Sequence, residues 1–122
     1  MARIAIVDDN PANSLPLSRL LRFEGHEVDC ILRSDGALEH LRGRRPDLLL
    51  LDVGMPEVDG IELLRMLRED ELLRELPVVM FSGLSDQALM TEASSLGAKD
   101  YLVKGCNWEG MLSRIEEHLP RN

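Results

Sequence analysis

The sequence predicts an α/β domain: a doubly wound, mainly parallel sheet covered by helices on both faces. Short β-branched or Leu-rich runs alternate with longer stretches of helical period, which is the pattern of such a domain. Several of these runs are apolar without interruption, as strands covered on both sides must be. The chain has 122 residues, room for one hydrophobic core and not for two.

The runs are Arg3 to Val7, Glu27 to Leu32, Asp47 to Leu51, Pro77 to Phe81 and Lys99 to Val103, so five strands are expected. Ile4 to Val7, Leu48 to Leu51 and Val78 to Phe81 contain no polar residue, which places the first, third and fourth strands at the centre. Pro46 before the third run, and Gly54 and Pro56 after it, favour a short strand over a buried helical segment. Between the strands, Leu17, Leu20 and Leu21 share one helix face, as do Leu38 and Leu41, then Ile61, Leu64 and Leu67, then Leu89, Ala93 and Leu96. In the last helix Trp108, Met111, Leu112, Ile115 and Leu119 form one stripe expected to face the core, with Asn107 as its N-cap. The first helix is expected to start with Asn13 as N-cap, because this puts Pro16 in the first turn, where no backbone donor has an intrahelical partner.

Charge and composition narrow the function classes. With 22 acidic and 14 basic residues the formal net charge is −8, and only Lys99 and Lys104 are lysines. Direct nucleic acid binding needs a basic stripe, and the nearest candidate, Arg42, Arg44 and Arg45, reads as a helix C-terminus complementing its own dipole. The apolar runs are far shorter than the roughly 18 residues of a membrane span. The N-terminal run is too short and too closely followed by Asp8 and Asp9 for a secretory signal, so the cytoplasm is the expected location. Cys30 and Cys106 lack metal-ligand spacing and are expected as reduced thiols. With no linker, repeat or low-complexity segment, residues 1–122 read as a single domain.

The chemistry collects where the strands end. Val7 leads into Asp8 and Asp9, Leu51 into Asp52, Phe81 into Ser82, and Val103 into Lys104. In an open parallel sheet these ends share one edge, and ligand crevices lie there. Singly, each residue is an ordinary cap, turn residue or surface lysine. Together they are not, because two carboxylates about 4 Å apart repel by roughly 4 kcal/mol at an effective dielectric of about 20. A divalent cation relieves this, and oxygen ligands with open positions suit Mg²⁺ or Mn²⁺. Without one, at least one of these carboxyls should have a raised pKa within a coupled set.

Five motifs stand in order: Val7-Asp8-Asp9-Asn10, Asp52 through Gly60, Phe81-Ser82-Gly83, Gly97 through Leu102, and Lys104. On these the chain resembles the receiver domain of bacterial two-component response regulators over essentially its whole length. The resemblance implies a flavodoxin-like three-layer sandwich with strand order 2-1-3-4-5. It implies that Asp52 accepts a phosphoryl group from the phosphohistidine of a histidine kinase or histidine phosphotransfer protein. Asp9, Asp52 and the Gly54 backbone carbonyl would hold Mg²⁺, or Mn²⁺, with Asp8 acting mainly through a metal-bound water. Lys104 and Ser82 would each take a phosphoryl oxygen, and Ser82 and Tyr101 would form the switch. That switch would reshape the face of the fourth helix, fifth strand and fifth helix, toward an output partner or a homodimer involving Leu89, Lys99, Asp100 and Arg114. Such a domain is a signalling phosphoacceptor rather than an enzyme acting on other substrates.

The chain departs from the pattern where Gly105 and Cys106 follow Lys104 in place of a proline and an aromatic. A cis bond before a non-proline residue costs about 2.5 to 4 kcal/mol, so a trans bond and a looser loop are expected. Two rivals stay open: an interaction module of the same fold that works without phosphorylation, and an aspartyl-phosphate phosphohydrolase. The second fits less well, since Gly54 stands where such enzymes carry a second carboxylate and there is no spare length for a cap. A flavin or nucleotide binder lacks its Gly-rich loop after the first strand.

Overall fold

Five parallel strands alternate with five helices in the computed structural model, which describes residues 2–105 and 107–120. Cys106, expected to alter the packing of its loop, lies outside the described residues. The order is β1 (Arg3–Val7), α1 (Pro11–Phe23), β2 (Glu27–Ile31), α2 (Ala37–Gly43), β3 (Leu48–Leu51), α3 (Gly60–Glu69), β4 (Val78–Ser82), α4 (Gln87–Ser95), β5 (Asp100–Val103) and α5 (Trp108–Glu117). The sheet runs β2-β1-β3-β4-β5 with every pair parallel.

Strand residues alternate between the two faces, and both faces are covered. Ala5, Val7, Leu49, Leu51, Val78 and Met80 pack against the inward residues of α2, α3 and α4. Ile4, Ile6, Leu48, Leu50, Val79 and Phe81 face the other way, against Leu17 and Leu21 of α1 and Met111 and Ile115 of α5. The three apolar runs are therefore the central strands because each successive side chain meets a helix layer.

Two expectations are corrected. α1 begins at Pro11, not after Asn13: Asn10 is the N-cap, and its side chain accepts from the Ala12 amide at 3.0 Å. Proline has no amide to leave unsatisfied at the first helical position, so Asn10-Pro11 is a strong start signal. Pro16 then lies inside the helix and deletes one hydrogen bond, a cost that the earlier cap and an additional turn offset. Trp108 is 43 % exposed and not part of the core stripe. It is the first residue of α5, and only from Met111 onward does the helix lie on the sheet. Asn107 does cap α5, accepting from Glu109 at 2.8 Å.

One long-range tie is carried by a single side chain. Arg68 of α3 donates to the backbone carbonyls of Leu96 at 2.7 Å, Leu76 at 2.8 Å, Arg74 at 3.0 Å and Gly97 at 3.1 Å. It thereby fastens α3 to the segment before β4 and to the end of α4, and its burial lowers the guanidinium pKa without a carboxylate to offset it. Other arginines pair with acids, among them Arg42 with Asp70, Nε to Oδ2 at 2.6 Å, and Arg44 with Asp29 at 2.8 Å.

Replacing Arg68 by Met keeps the stem and removes every donor. The Arg68→Met variant is expected to lose about 2 to 3 kcal/mol, read as a lower urea midpoint with an unchanged slope.

Candidate functional site

Register brings the reactive side chains to one height. Val7 of β1 is paired with Leu51 of β3, so the residues that follow, Asp8 and Asp52, emerge side by side from adjacent strands. The ladder continues past both ends, since Asp52 N donates to Val7 O at 2.9 Å and Asp8 N donates to Ile31 O at 3.1 Å. On the other flank Ser82 is paired with Val103, and Lys104 N donates to Ser82 O at 2.9 Å.

Asp8 is 1 % exposed, Asp52 6 % and Ser82 1 %, while Asp9 is open to solvent. One oxygen from each of Asp8, Asp9 and Asp52 lies within 4.8 Å of the others. Lys104 crosses from β5 to meet them: its Nζ is 2.7 Å from Asp8 Oδ2 and 3.4 Å from Asp52 Oδ1. The ammonium also lies over the Phe81 ring, 5.4 Å from its centroid, an arrangement that favours a cation. Asp8 Oδ1 accepts from the Asn10 amide at 2.9 Å, so its two oxygens have separate partners.

Burial and then the charge of Asp8 push the Asp52 carboxyl above the usual aspartate value, against the opposing pull of Lys104 and the Ser82 hydroxyl. The expected raised carboxyl is thus Asp52. Around Lys104 the peptide bond is trans, as expected with the proline missing. There is no cis peptide bond among the described residues, and Gly105 takes φ +92°, a left-handed conformation that glycine adopts without cost. The turn is made by Gly105, while Lys104 itself is fixed at its amide and its ammonium.

Tyr101 is half-buried on β5, and its hydroxyl donates to the Leu84 carbonyl in the loop between β4 and α4. Burial raises its phenol pKa, so it remains a donor. The Ser82 hydroxyl accepts from the Leu84 amide at 3.1 Å. Both residues expected to form a switch therefore grip Leu84, at its two backbone groups. Gly54 is exposed, and the Leu84 side chain lies so close that a Cβ on Gly54 would meet it at 3.3 Å.

Three supporting residues were not evident in the sequence reading. A Cβ on Gly60 would fall 2.0 Å from the Asp52 carbonyl oxygen, so the start of α3 approaches the backbone of Asp52 as only glycine permits. Its place at the end of the Asp52-to-Gly60 motif was the available signal. Ser34 is buried; its hydroxyl donates to Pro56 O at 2.8 Å and accepts from Val58 N at 3.1 Å. Those bonds flank Glu57, whose φ of +69° is the one left-handed non-glycine conformation among the described residues. Phe81 supports Lys104, and nothing in the pattern marked it beyond its place before Ser82.

Comparison with known proteins agrees with this geometry. The response regulator receiver domain family matches residues 4–116. The phosphate regulon transcriptional regulatory protein PhoB of Rhizobium meliloti is 39 % identical over 121 residues, covering 99 % of this chain and 53 % of that protein. The DNA-binding response regulator MtrA of Mycolicibacterium smegmatis is 35 % identical over 98 % of this chain and 51 % of its own length. The chain thus spans about half the length of the curated relatives it matches. Among solved structures, chemotaxis protein CheY4 of Vibrio cholerae superimposes with a TM-score of 0.89 at 28 % identity, covering 98 % of this chain and 99 % of that one. The BeF3-activated N-terminal receiver domain of Klebsiella pneumoniae RstA has a TM-score of 0.89 at 29 % identity, over 98 % and 99 % of the two chains.

Two outcomes are expected. Gly60→Ala should cost about 3 kcal/mol in a urea melt, because the clash is with backbone and not with a movable side chain. Asp52 binds its proton more tightly in the folded state than at the ordinary value of 3.8, so its contribution to stability falls as pH rises from 3.8 through the folded pKa. Asp52→Asn removes that penalty. The variant should unfold at higher urea than the wild type at pH 7 with chelator present, and the gap should close as pH is lowered toward 3.8.

Proposed function

The chain belongs to the response regulator receiver domain family, and from that premise we propose that Asp52 is its phosphoacceptor and residues 1–122 a single receiver domain. The observation that carries the assignment is the convergence of Asp52 with Asp8, Asp9 and the Lys104 ammonium at the carboxyl edge of the sheet. A histidine kinase or histidine phosphotransfer protein is the donor. An Asp52 oxygen bonds to phosphorus as the phosphorus–nitrogen bond of the phosphohistidine breaks, and that electron pair returns to the imidazole.

The protein's own groups position and neutralise, which is what a loose phosphoryl-transfer transition state requires. Lys104 offers a compact positive charge to one oxygen of the transferred group, and the Ser82 hydroxyl donates to another. The three clustered carboxylates form an all-oxygen donor set suited to a hard divalent cation. Asp9, Asp52 and the Gly54 carbonyl would hold Mg²⁺ or Mn²⁺, with Asp8 acting through water. When bound, the cation supplies charge neutralisation to the phosphoryl oxygens.

The switch runs through Leu84. Drawing Ser82 toward the new oxygens pulls on the Leu84 amide, and Tyr101 transmits the displacement because it holds the same residue's carbonyl. The loop entering α4 then takes a second arrangement, and a partner preferring it is recruited at the α4, β5 and α5 face. On that face Asp100 already pairs with Arg114 within the chain, Nε to Oδ2 at 3.1 Å. The DNA binding named for MtrA is not carried to this chain, whose net charge of −8 offers no stripe for a phosphate backbone. No helix among the described residues is long and apolar enough to cross a membrane, and the cytoplasm is the compartment we assign.

Intact mass after incubation with acetyl phosphate tests the assignment. Wild type is expected to gain one alkali-labile phosphoryl group only with Mg²⁺, and Asp52→Asn to gain none. Lys104→Ala should slow uptake about 10²-fold at saturating Mg²⁺. Failure of the wild type with every small-molecule and phosphohistidine donor would favour the phosphorylation-independent module. Mg²⁺ alone should raise the urea midpoint of the wild type and leave Asp52→Asn nearly unchanged.

A further inference from the structure

Beside the acidic cluster, a groove of about 710 Å³ opens between α3 and α4. Its volume falls in the range of ligand sites. Its apolar lining includes Ile61 and Met66 from α3, Leu89 from α4, and Leu84, which is 49 % exposed above the groove. Asp59, Glu62 and Glu69 add acidic groups along α3. The spacing of Glu62, Met66 and Glu69 puts all three on one edge of that helix. Glu92 of α4 also lines the groove, but it is neutralised by Arg65 across it at 2.7 Å. None of Asp59, Glu62 and Glu69 has a cationic partner among the described residues, so the groove combines an apolar floor with three unpaired carboxylates.

We propose that the α3–α4 groove binds an apolar segment of a partner protein flanked by lysine or arginine. Leucine-like side chains would enter between Ile61, Met66 and Leu89, and the basic residues would meet Glu62 and Glu69. The occupant touches Gly54 and Leu84 at the inner end, two residues after Asp52 and Ser82 respectively. This surface lies on the α3 side of α4, sharing Leu89 with the face of α4, β5 and α5 and Gly54 and Leu84 with the surroundings of Asp52 and Ser82. Its occupation is read on the unmodified protein, so its failure is separable from failure of the phosphoacceptor assignment.

The test is an amide-shift titration of the full chain with a synthetic amphipathic peptide of leucine and lysine, beside the same peptide with glutamate for lysine. The lysine peptide should shift Val53, Gly54, Glu62, Leu84 and Leu89 in a saturable manner, and the glutamate peptide should not. Glu62→Gln/Glu69→Gln should weaken binding about ten-fold. Glu24→Gln/Glu117→Gln makes the same charge change on the elements of the opposite sheet face and should leave affinity within about two-fold. Equal weakening by both pairs, shifts spread over α1 and α5, or no binding would overturn the proposal. So would groove shifts obtained with phenethylamine at equal or tighter affinity, which would assign a small organic cation. Groove shifts that grow with protein concentration alone would assign a second copy and overturn it equally.

Discussion

The arrangement depends on one charge reaching across the sheet. β1 and β3 end at the same height, and each delivers a carboxylate into a space with little water, a placement that would be self-repelling without a cation. Lys104 provides it from β5, two strands away from β3, by extending over Phe81 to stand between Asp8 and Asp52. The order β2-β1-β3-β4-β5 makes this possible, because it sets the two acidic strands next to each other and the basic strand on the same side of them. Sheet order, register and site are one construction.

The second requirement is a rigid frame for the segment after Asp52. Gly60 lets α3 begin against the Asp52 carbonyl, and Gly60 N donates to Val53 O at 2.8 Å, closing the loop on itself. Ser34 reaches in from the loop before α2 and holds the backbone on either side of Glu57. Loops this well tied hold the Asp52 backbone in place while leaving its flank, at Gly54 and Asp9, open to solvent.

Much of this was legible from residue pattern. The strand limits agree to within a residue, most plainly at β1 and β3, where the apolar runs meet aspartate. The convergence of Asp8, Asp9, Asp52 and Lys104 was legible because side chains at the strand ends share an edge in any parallel sheet. Strand order was not in the periodicity and came from the resemblance of the motifs. The start of α1 was misplaced because one principle, the cost of an internal proline, was weighed above another, the strength of Asn10-Pro11 as a start. Trp108 fitted a helical stripe, but periodicity says which side of a helix a residue takes and not how far the sheet extends beneath it. Ser34 and Arg68 were invisible for a common reason: their partners are backbone groups, which every residue possesses and no pattern marks.

That property gives the Arg68 tie an unusual tolerance. A salt bridge is a contract between two side chains and is cancelled when either mutates, is protonated, or meets concentrated salt. The acceptors of Arg68 belong to positions 74, 76, 96 and 97 whatever side chains stand there. Drift at the exposed position 74 changes the surface around the clamp without dissolving it, and no acidification can titrate a carbonyl. The chain can therefore vary the exposed border between α3, α4 and the segment before β4 while keeping these elements in one frame.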